Sequence, residues 1–280
     1  MLEEIFTKVG DYKIRYFESK VKDKERHKNL LFIHGLGSSS ERWLDIPEAL
    51  SRYFHTIAVD LIGFGGSDKP QNINYTIETF KKFILDFITS IGLNDKRISL
   101  IGHSLGGYIA LETALSMTEN VNEKELIEKL VLIDSSGLLK TPTPLLEQYL
   151  DAAMNPTHTK VKGVFEKLAA HPWRLLPVIV DIFINRINVP GAKYAFESAY
   201  HNSTTTQIEL SRFKIIQHIP TLIIWGSEDK LIPVEHSQIF NGCFNNVQLE
   251  IIQDTGHAPF AEKPAIICEL LHTFMADNIQ

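Results

Sequence analysis

The sequence has little cysteine, no excess of positive charge and no long uninterrupted apolar run. Its 280 residues include only two cysteines, Cys243 and Cys268, and neither lies in a C-x-x-C pair, so we expect no disulfide framework. Two such thiols are typical of a protein from a reducing compartment. The net charge of −6 argues against a nucleic-acid partner, because nucleic acids are bound by basic faces.

Signals for export and for membrane insertion are also missing. The acidic, mixed start MLEEIFTKVGDYK has no basic segment followed by an apolar run, so we predict no signal peptide. The longest apolar stretch, LLPVIVDIFI, is interrupted by Asp181 and is too short to span a bilayer. We therefore expect a cytoplasmic protein, monomeric or homodimeric, with no membrane partner.

The sequence does contain an alternation of strand and helix patterns. The predicted strands are LLFIHG (30–35), HTIAVD (55–60), RISLIGH (97–103), KLVLIDSSG (129–137), TLIIWG (221–226) and VQLEII (247–252), after an opening hairpin around Gly10 and Asp11. Continuous apolar runs of this kind are typical of strands covered on both faces. Between them, apolar residues recur at spacings of three and four, as in helices. The pattern predicts an α/β fold with a mostly parallel sheet.

One segment breaks this alternation. Residues 138–219 show no strand pattern, and prolines punctuate their helical patterns. We predict that 138–219 form an inserted helical cap and that 1–137 and 220–280 form the core domain. The cap's aromatic candidates for an apolar pocket are Trp173, Tyr194, Phe196 and Tyr200, although such residues more often pack against neighbouring helices. Its candidates for binding a substrate carboxylate are Arg174, Arg186 and His201.

A G-x-S-x-G segment lies between a predicted strand and a predicted helix. In RISLIGHSLGGYIAL, Gly102 and Gly106 flank Ser104 at the turn. A nucleophile elbow requires this setting, because the turn is so sharp that only a residue without Cβ fits beside the serine backbone. The serine also stands at a helix N-terminus, where developing negative charge is favoured. We therefore predict that Ser104 is a nucleophile and not merely a helix cap.

Eleven histidines compete for the role of base, and position favours His257. It lies in the loop after the last apolar run, and loops beyond the carboxyl ends of parallel strands converge on one edge of the sheet. Ser104 is predicted at that same edge. His34, His103 and His236 also lie near strand ends. We expect His34 to structure its own loop and the side chain of His103 to diverge from the elbow.

A buried carboxylate is needed to fix the tautomer of the base and to stabilise the imidazolium. It should follow the strand TLIIWG, where Asp229 is our choice and Glu228 is its rival. The chain order serine, acid, histidine is the one expected for this type of fold. Asp134, at the end of KLVLID, is a second candidate because it would reach the same edge.

Acyl transfer also needs hydrogen-bond donors where the oxyanion forms. We assign this role to the backbone N–H groups of Leu105, directly after the nucleophile, and of Leu36 in HGLGSSS. Gly35 in the same loop would let the backbone approach a substrate closely. HGLGSSS lacks the lysine and the spacing of a phosphate-binding loop, and GFGGSD (63–68) lacks the spacing of a dinucleotide fingerprint, so we interpret the latter as a structured loop.

Five segments together resemble the α/β-hydrolase superfamily: HGLG, DLIGFGGSDKP, GHSLGG, WGSEDKLIP and GHAPFAEKP. The resemblance implies an eight-stranded, mostly parallel sheet with an antiparallel first pair and a lid after the sixth strand. It implies no metal and no organic cofactor. It also implies a triad of Ser104, Asp229 and His257 with an oxyanion hole at Leu36 and Leu105.

The resemblance narrows the chemistry without fixing the substrate. GHAPFAEKP is similar to carboxylesterases of the pimeloyl-carrier-protein methyl ester esterase type, and a serine nucleophile departs from the dehalogenase and epoxide hydrolase branches. We expect hydrolysis of small or medium acyl esters, with Trp173 and Phe260 lining the pocket. The alternatives are a C–C or C–N bond hydrolase on the same triad, an acyltransferase, and a non-catalytic ligand-sensing protein.

Overall fold

A mixed β-sheet organises the chain in this computed structural model, which describes residues 2–20, 27–119, 126–171 and 176–276. Its eight strands lie in the order β1-β2-β4-β3-β5-β6-β7-β8. Their bounds are β1 Leu2–Val9, β2 Tyr12–Ser19, β3 Asn29–Ile33, β4 His55–Val59, β5 Ile98–His103, β6 Ile127–Ile133, β7 Thr221–Gly226 and β8 Val247–Ile252. The six apolar runs and the opening hairpin are all strands, as predicted.

Strand direction determines where the loops meet. β2 is antiparallel to both β1 and β4, whereas β3 to β8 run parallel to one another. The sheet is therefore mostly parallel, as predicted. Since the parallel strands share one direction, the loops that follow β3 to β8 converge on a single edge, which we call the carboxyl edge.

Helices cover both faces of the sheet. Their bounds are α1 Asp45–Leu50, α2 Ile77–Ser90, α3 Leu105–Glu119, α4 Pro144–Met154, α5 His158–Leu168, α6 Leu176–Ile187, α7 Ala192–Thr204, α8 Glu235–Asn241, α9 Pro259–Glu262 and α10 Pro264–Ala276. Among the described residues, none of these helices is long and apolar enough to cross a lipid bilayer.

The two faces of β3 show why its residues are apolar throughout. Leu31 and Ile33 belong to the larger core cluster with α2 and α3, while Leu30 and Phe32 belong to the cluster with α1 and α10. Successive side chains of a strand point to opposite faces, so a strand covered on both sides is apolar at every position. VQLEII was wrongly grouped with such strands: β8 is an edge strand, and it is only partly buried.

One helical pattern needs correction. Apolar residues recur at spacings of three and four in ERWLDIPEALSRY (41–53), which predicts one helix, but the structure has a 3₁₀ helix, Ser40–Trp43, and the short α1 there. Pro47 has no N–H to donate to the carbonyl of Trp43, so one continuous helix cannot form there. The apolar stretch LLPVIVDIFI, which we predicted only to be too short to span a bilayer, contains most of α6.

The segment between β6 and β7 is helical in its described residues. It contains α4 to α7 and a 3₁₀ helix at Leu210–Ile215, and no described residue of 138–219 lies in a strand. These helices pack partly on one another, α4 against α5 and α7 and α5 against α6. We refer to them below as the inserted helices.

Asp60, directly after β4, ties two loops of the carboxyl edge together. The buried carboxylate accepts hydrogen bonds from Arg15 Nε at 2.6 Å, from Ser40 N at 2.8 Å and Oγ at 2.6 Å, and from Gly66 N at 2.6 Å. Gly65 and Gly66 leave no room for a Cβ beside Asp60 and Arg15 respectively. The GFGGSD segment is therefore a structured loop, as predicted, and its glycines allow the close approach.

Replacing Asp60 by Ala should destabilise the fold strongly. The Arg15 guanidinium would lose its buried partner, which costs about 3–5 kcal/mol and lowers Tm by roughly 10 °C. Asp60→Asn, which keeps one acceptor oxygen, should cost less, and Asp11→Ala at an exposed turn is the matched control. Differential scanning calorimetry measures all three, and a wild-type-like Tm for Asp60→Ala would contradict this role.

Candidate active site

Ser104 stands in a strained turn between β5 and α3. Its φ is +54°, a left-handed conformation that is uncommon for a residue with a Cβ. A Cβ at Gly102 would overlap the backbone of Gly106, and a Cβ at Gly106 would overlap the carbonyl oxygen of Ile33 at the end of β3. The two glycines of G-x-S-x-G are therefore required by contacts with backbone, which cannot move aside as a side chain can.

The loop after β3 lies against this turn. A Cβ at Gly35 would sit 3.0 Å from the Cβ of Ser104. The loop is anchored by His34, whose Nε2 accepts from Leu61 N at 3.1 Å while Nδ1 lies 2.8 Å from the carbonyl oxygen of Gly35. These bonds require the tautomer protonated at Nδ1. Burial lowers the pKa of His34, so the ring is neutral, in keeping with the structural role we predicted for it.

The structure brings His257 and Asp229 together. His257 Nδ1 lies 2.7 Å from Asp229 Oδ2, and both side chains are buried. Asp229 Oδ1 accepts from Leu231 N at 2.8 Å and from Ile232 N at 3.0 Å, so this carboxylate is held at both oxygens. Because a carboxylate can only accept, Nδ1 carries the proton and Nε2 of the neutral ring keeps its lone pair.

Ser104 and His257 line one cavity at the carboxyl edge. No hydrogen bond joins the two side chains among the described residues. In sites without substrate, such bonds are often long or poorly aligned, and they shorten when substrate binds. Gly35, Leu36, Leu105 and Phe260, the other core residues predicted for the site, line the same cavity.

His103 does not behave as predicted. We expected its side chain to diverge from the elbow, but its ring lies 4.8 Å from that of His257 and its Nε2 is 2.7 Å from the carbonyl oxygen of His257. His103 is the last residue of β5, so it lies at the carboxyl edge beside Ser104, and its side chain lines the cavity. Burial, followed by the proximity of His257, lowers the pKa of His103 well below its usual range. His103 is thus a neutral donor that holds the backbone of the His257 loop.

The rivals for the acid and the base lie elsewhere or have other partners. Glu228 is exposed, while Asp229 is buried beside His257. His236 lies in the first turn of α8 and does not line the cavity, and its buried Nδ1 has no hydrogen-bond partner among the described residues. Asp134, after β6, is buried, and its Oδ1 accepts from Gly226 N at 2.9 Å. Ligand atoms of Asp134, Asp229 and His257 all lie within 4.8 Å of one another.

The inserted helices supply the apolar wall of the cavity, but through different residues than predicted. Tyr149, Phe165 and Phe183 line it. Tyr194, Phe196 and Tyr200 instead pack among the helices or against the core: Tyr194 donates to the carbonyl of Ile73, and the other two are buried. These three aromatic residues therefore pack against neighbouring elements, which was the alternative to lining a pocket.

The described residues predicted to bind a substrate carboxylate have other contacts in the structure. Arg186 lines the cavity and pairs with Glu41 and with Ser39 Oγ, so its charge is already compensated. His201 is exposed, and its ring makes an edge-to-face contact with that of Tyr200. Trp173 and Arg174 lie outside the described residues.

Two residues without a predicted role connect the insertion to the site. Glu262 accepts from Gly256 N at 2.8 Å and from Ala170 N at 2.9 Å, and it thereby links the His257 loop to the end of α5. Tyr149 donates to the carbonyl oxygen of Leu36 at 3.2 Å. Glu262 stands in GHAPFAEKP, so its place in that segment was the available signal. Nothing in the sequence around Tyr149 distinguishes it from a packing residue.

Comparison with known proteins places these observations among hydrolases. The model of the alpha/beta hydrolase family matches residues 30–270. Monoacylglycerol lipase abhd6-A of Xenopus laevis is 24% identical over 283 residues, which cover 97% of this chain and 81% of that protein. Lipase 1 of Psychrobacter immobilis is 28% identical over 238 residues, with coverages of 83% and 72%.

The fold has close counterparts among solved structures. The structure of 2-hydroxy-6-oxo-6-phenylhexa-2,4-dienoate hydrolase from a Rhodococcus species superimposes with a TM-score of 0.85 over 99% of each chain. The two sequences are 18% identical, so this likeness concerns the fold.

The contact of Gly106 with β3 generates a direct test of the elbow. Gly106→Ala should lower stability by about 1–3 kcal/mol, because the new Cβ must displace the carbonyl of Ile33 or the serine turn. Gly163→Ala, in the middle of α5 with nothing near its Cβ, should stabilise by about 0.5–1 kcal/mol through helix propensity. Urea denaturation compares the two, and equal free energies of unfolding would show that the elbow tolerates a side chain.

Proposed function

The chain belongs to the alpha/beta hydrolase family, and from that premise we propose that it is a serine hydrolase that cleaves carboxylic esters through an acyl-enzyme. One observation carries the proposal: Ser104, on a strained turn at a helix N-terminus, lines the same cavity as His257, whose Nδ1 is bonded to the buried Asp229.

The proposed reaction starts from the neutral His257 ring. Nε2 accepts the proton of Ser104 Oγ as the oxygen attacks the ester carbonyl, and Asp229 stabilises the imidazolium that results. The proton then passes to the leaving alcohol. Water, activated by the same Nε2, attacks the acyl-enzyme and releases the acid, so the enzyme returns to its starting state.

Two backbone N–H groups are proposed to hold the oxyanion. Leu105 is the first residue of α3, so its N–H has no partner within the helix, and Leu36 lies in the glycine loop that packs against Ser104. The N-terminus of α3 adds the favourable end of the helix dipole. Donors fixed in this way cost no reorganisation when the negative charge develops.

The walls of the cavity favour an apolar acyl group. Leu146, Phe165 and Ile179 of the inserted helices face it, together with Phe260 of the core. We propose that residues 138–219 form a cap over Ser104 and that residues 1–137 and 220–280 form the core domain. The names of the lipase relatives agree with an ester substrate, while the dienoate hydrolase shares the fold and keeps C–C cleavage as the second candidate.

Removing the Ser104 hydroxyl should abolish ester hydrolysis. Ser104→Ala is expected to lower kcat for p-nitrophenyl butyrate by at least about 10³-fold and to prevent labelling by a fluorophosphonate. Ser90→Ala, at an exposed position in α2, should change neither. A variant without Ser104 that keeps its turnover and its label would refute the assignment of the nucleophile.

The apolar wall should set a preference for acyl length. Each methylene buried contributes about 0.8 kcal/mol, so kcat/KM should rise about fourfold per carbon from acetate until the cavity is filled. Ile179→Trp should remove the gain for longer esters and leave acetate unaffected. Val178→Trp is the matched control, because Val178 is exposed and does not line the cavity. A flat length profile in the wild type would contradict an acyl pocket here.

The same assay separates the candidate chemistries. A panel of p-nitrophenyl esters, vinylogous diketones and aminoacyl anilides, each at equal concentration, gives kcat/KM for C–O, C–C and C–N cleavage. We expect esters to be preferred. A preference for either of the other classes would replace the ester assignment while leaving the nucleophile unchanged.

A further inference from the structure

Asp134 is a buried acid that the proposed mechanism does not use. It directly follows β6, its side chain is fully buried, and its φ of +45° is left-handed. Oδ1 accepts from Gly226 N at 2.9 Å, but Oδ2 is buried without a hydrogen-bond partner. A buried carboxylate oxygen with no donor is costly, so its surroundings must supply an explanation.

A second carboxyl, that of Asp229, lies close to Asp134. Oxygen atoms of Asp134 and Asp229 and a ring nitrogen of His257 lie within 4.8 Å of one another. Three N–H groups donate to the Asp229 carboxylate: those of Leu231 and Ile232 to Oδ1, and His257 Nδ1 to Oδ2. None of these donors reaches Asp134 Oδ2. Two ionised carboxylates in such contact repel each other, and a single shared proton removes the repulsion.

We propose that Asp134 is a neutral carboxylic acid that donates its O–H to the Asp229 carboxylate and so acts as a positioning residue for the triad. The proposal rests on the proposed function for its catalytic consequence, but not for the protonation itself. The shared proton satisfies the orphaned oxygen and leaves a single negative charge beside His257. Asp229 is then fixed by main chain, by imidazole and by Asp134, so its oxygens cannot rotate away from Nδ1.

Electrostatics support this protonation state. Burial, and then the charge of Asp229, raises the pKa of Asp134 well above its usual range. The titratable groups that face it are Asp229 after β7, with His257 and Glu262 after β8. His236 of α8 lies within the electrostatic reach of Asp229.

The raised pKa has a defined effect on stability. The stabilisation that the neutral acid provides is complete below the ordinary pKa of aspartate and is lost as the pH rises through the raised pKa of the folded state. Asparagine at 134 offers a donor and an acceptor in the same shape and does not titrate. Asp134→Asn should therefore become more stable than the wild type as the pH increases.

A divalent cation is the competing occupant, because two carboxylates and an imidazole are also a possible ligand set. A cation would need both carboxylates ionised, and Asn at 134 would weaken its binding. Activity that a chelator removes and added Zn²⁺ restores, and that Asp134→Asn lacks, would overturn the proposal.

The decisive comparison uses Asp134→Asn and Asp134→Ala in the full chain. Asn should keep kcat within a few-fold of the wild type, since it can donate to Asp229 and accept from Gly226. Ala should lower kcat by about 10- to 100-fold, the loss expected for a hydrogen bond to a charged group, with little change in KM. Asp254→Ala removes another left-handed aspartate, on an exposed loop, and controls for backbone strain.

Two readouts do not depend on catalysis. The infrared spectrum at neutral pH should contain a protonated carboxylic-acid C=O band that Asp134→Asn removes and Glu262→Gln keeps. The Tm difference between Asp134→Asn and the wild type should grow with pH. An unchanged infrared spectrum, or an Asn variant as inactive as the Ala variant, would overturn the proposal. If the wild type instead cleaved no ester, only the proposed function would fail, and the infrared and Tm results would still decide the protonation state.

Discussion

The positive φ of Ser104 is the constraint on which the rest of the site depends. This conformation raises the hydroxyl above the carboxyl edge, and it depends on two close contacts between backbone segments. Gly102 lies against the backbone of Gly106 across the turn, and Gly106 lies against the end of β3. The same contact sets the distance between the serine turn and the glycine loop that carries Leu36. Strain at this turn is therefore stabilised by the whole sheet, which is how such strain generally persists at functional sites.

The residues around this turn are buried, and burial limits how many charged side chains the carboxyl edge contains. Burial lowers the pKa of His34 and of His103, so both rings remain neutral and serve as hydrogen-bond partners of backbone. Asp229 is held at both oxygens, and the proposed proton on Asp134 leaves one negative charge next to His257. A site of low dielectric strengthens each remaining electrostatic interaction, so a single well-placed carboxylate is sufficient to orient His257, the proposed base.

Much of this arrangement could be predicted from the sequence, because its signals are local or follow from strand order. Continuous apolar runs identified the strands, and the turn glycines around Ser104 marked the elbow. The positions of Asp229 after TLIIWG and of His257 after VQLEII, together with the chain order, predicted a pair that the structure finds hydrogen-bonded. The side chain of His103 could not be predicted, since its direction depends on the twist of a tight turn and on the position of a loop 154 residues away. The prediction of which aromatic residues of the inserted helices line the cavity was wrong for a related reason. Helix periodicity identifies a buried face but does not say which neighbour covers it.

The most direct test is a crystal structure of the protein after reaction with an alkyl phosphonate ester, which mimics the tetrahedral intermediate. The account predicts phosphorus bonded to Ser104 Oγ, one phosphonyl oxygen within hydrogen-bond distance of the N–H groups of Leu36 and Leu105, and His257 Nε2 facing the serine oxygen. The alkyl group should lie against Phe165 and Ile179. Phosphorus on another residue, or a phosphonyl oxygen turned away from both N–H groups, would contradict it.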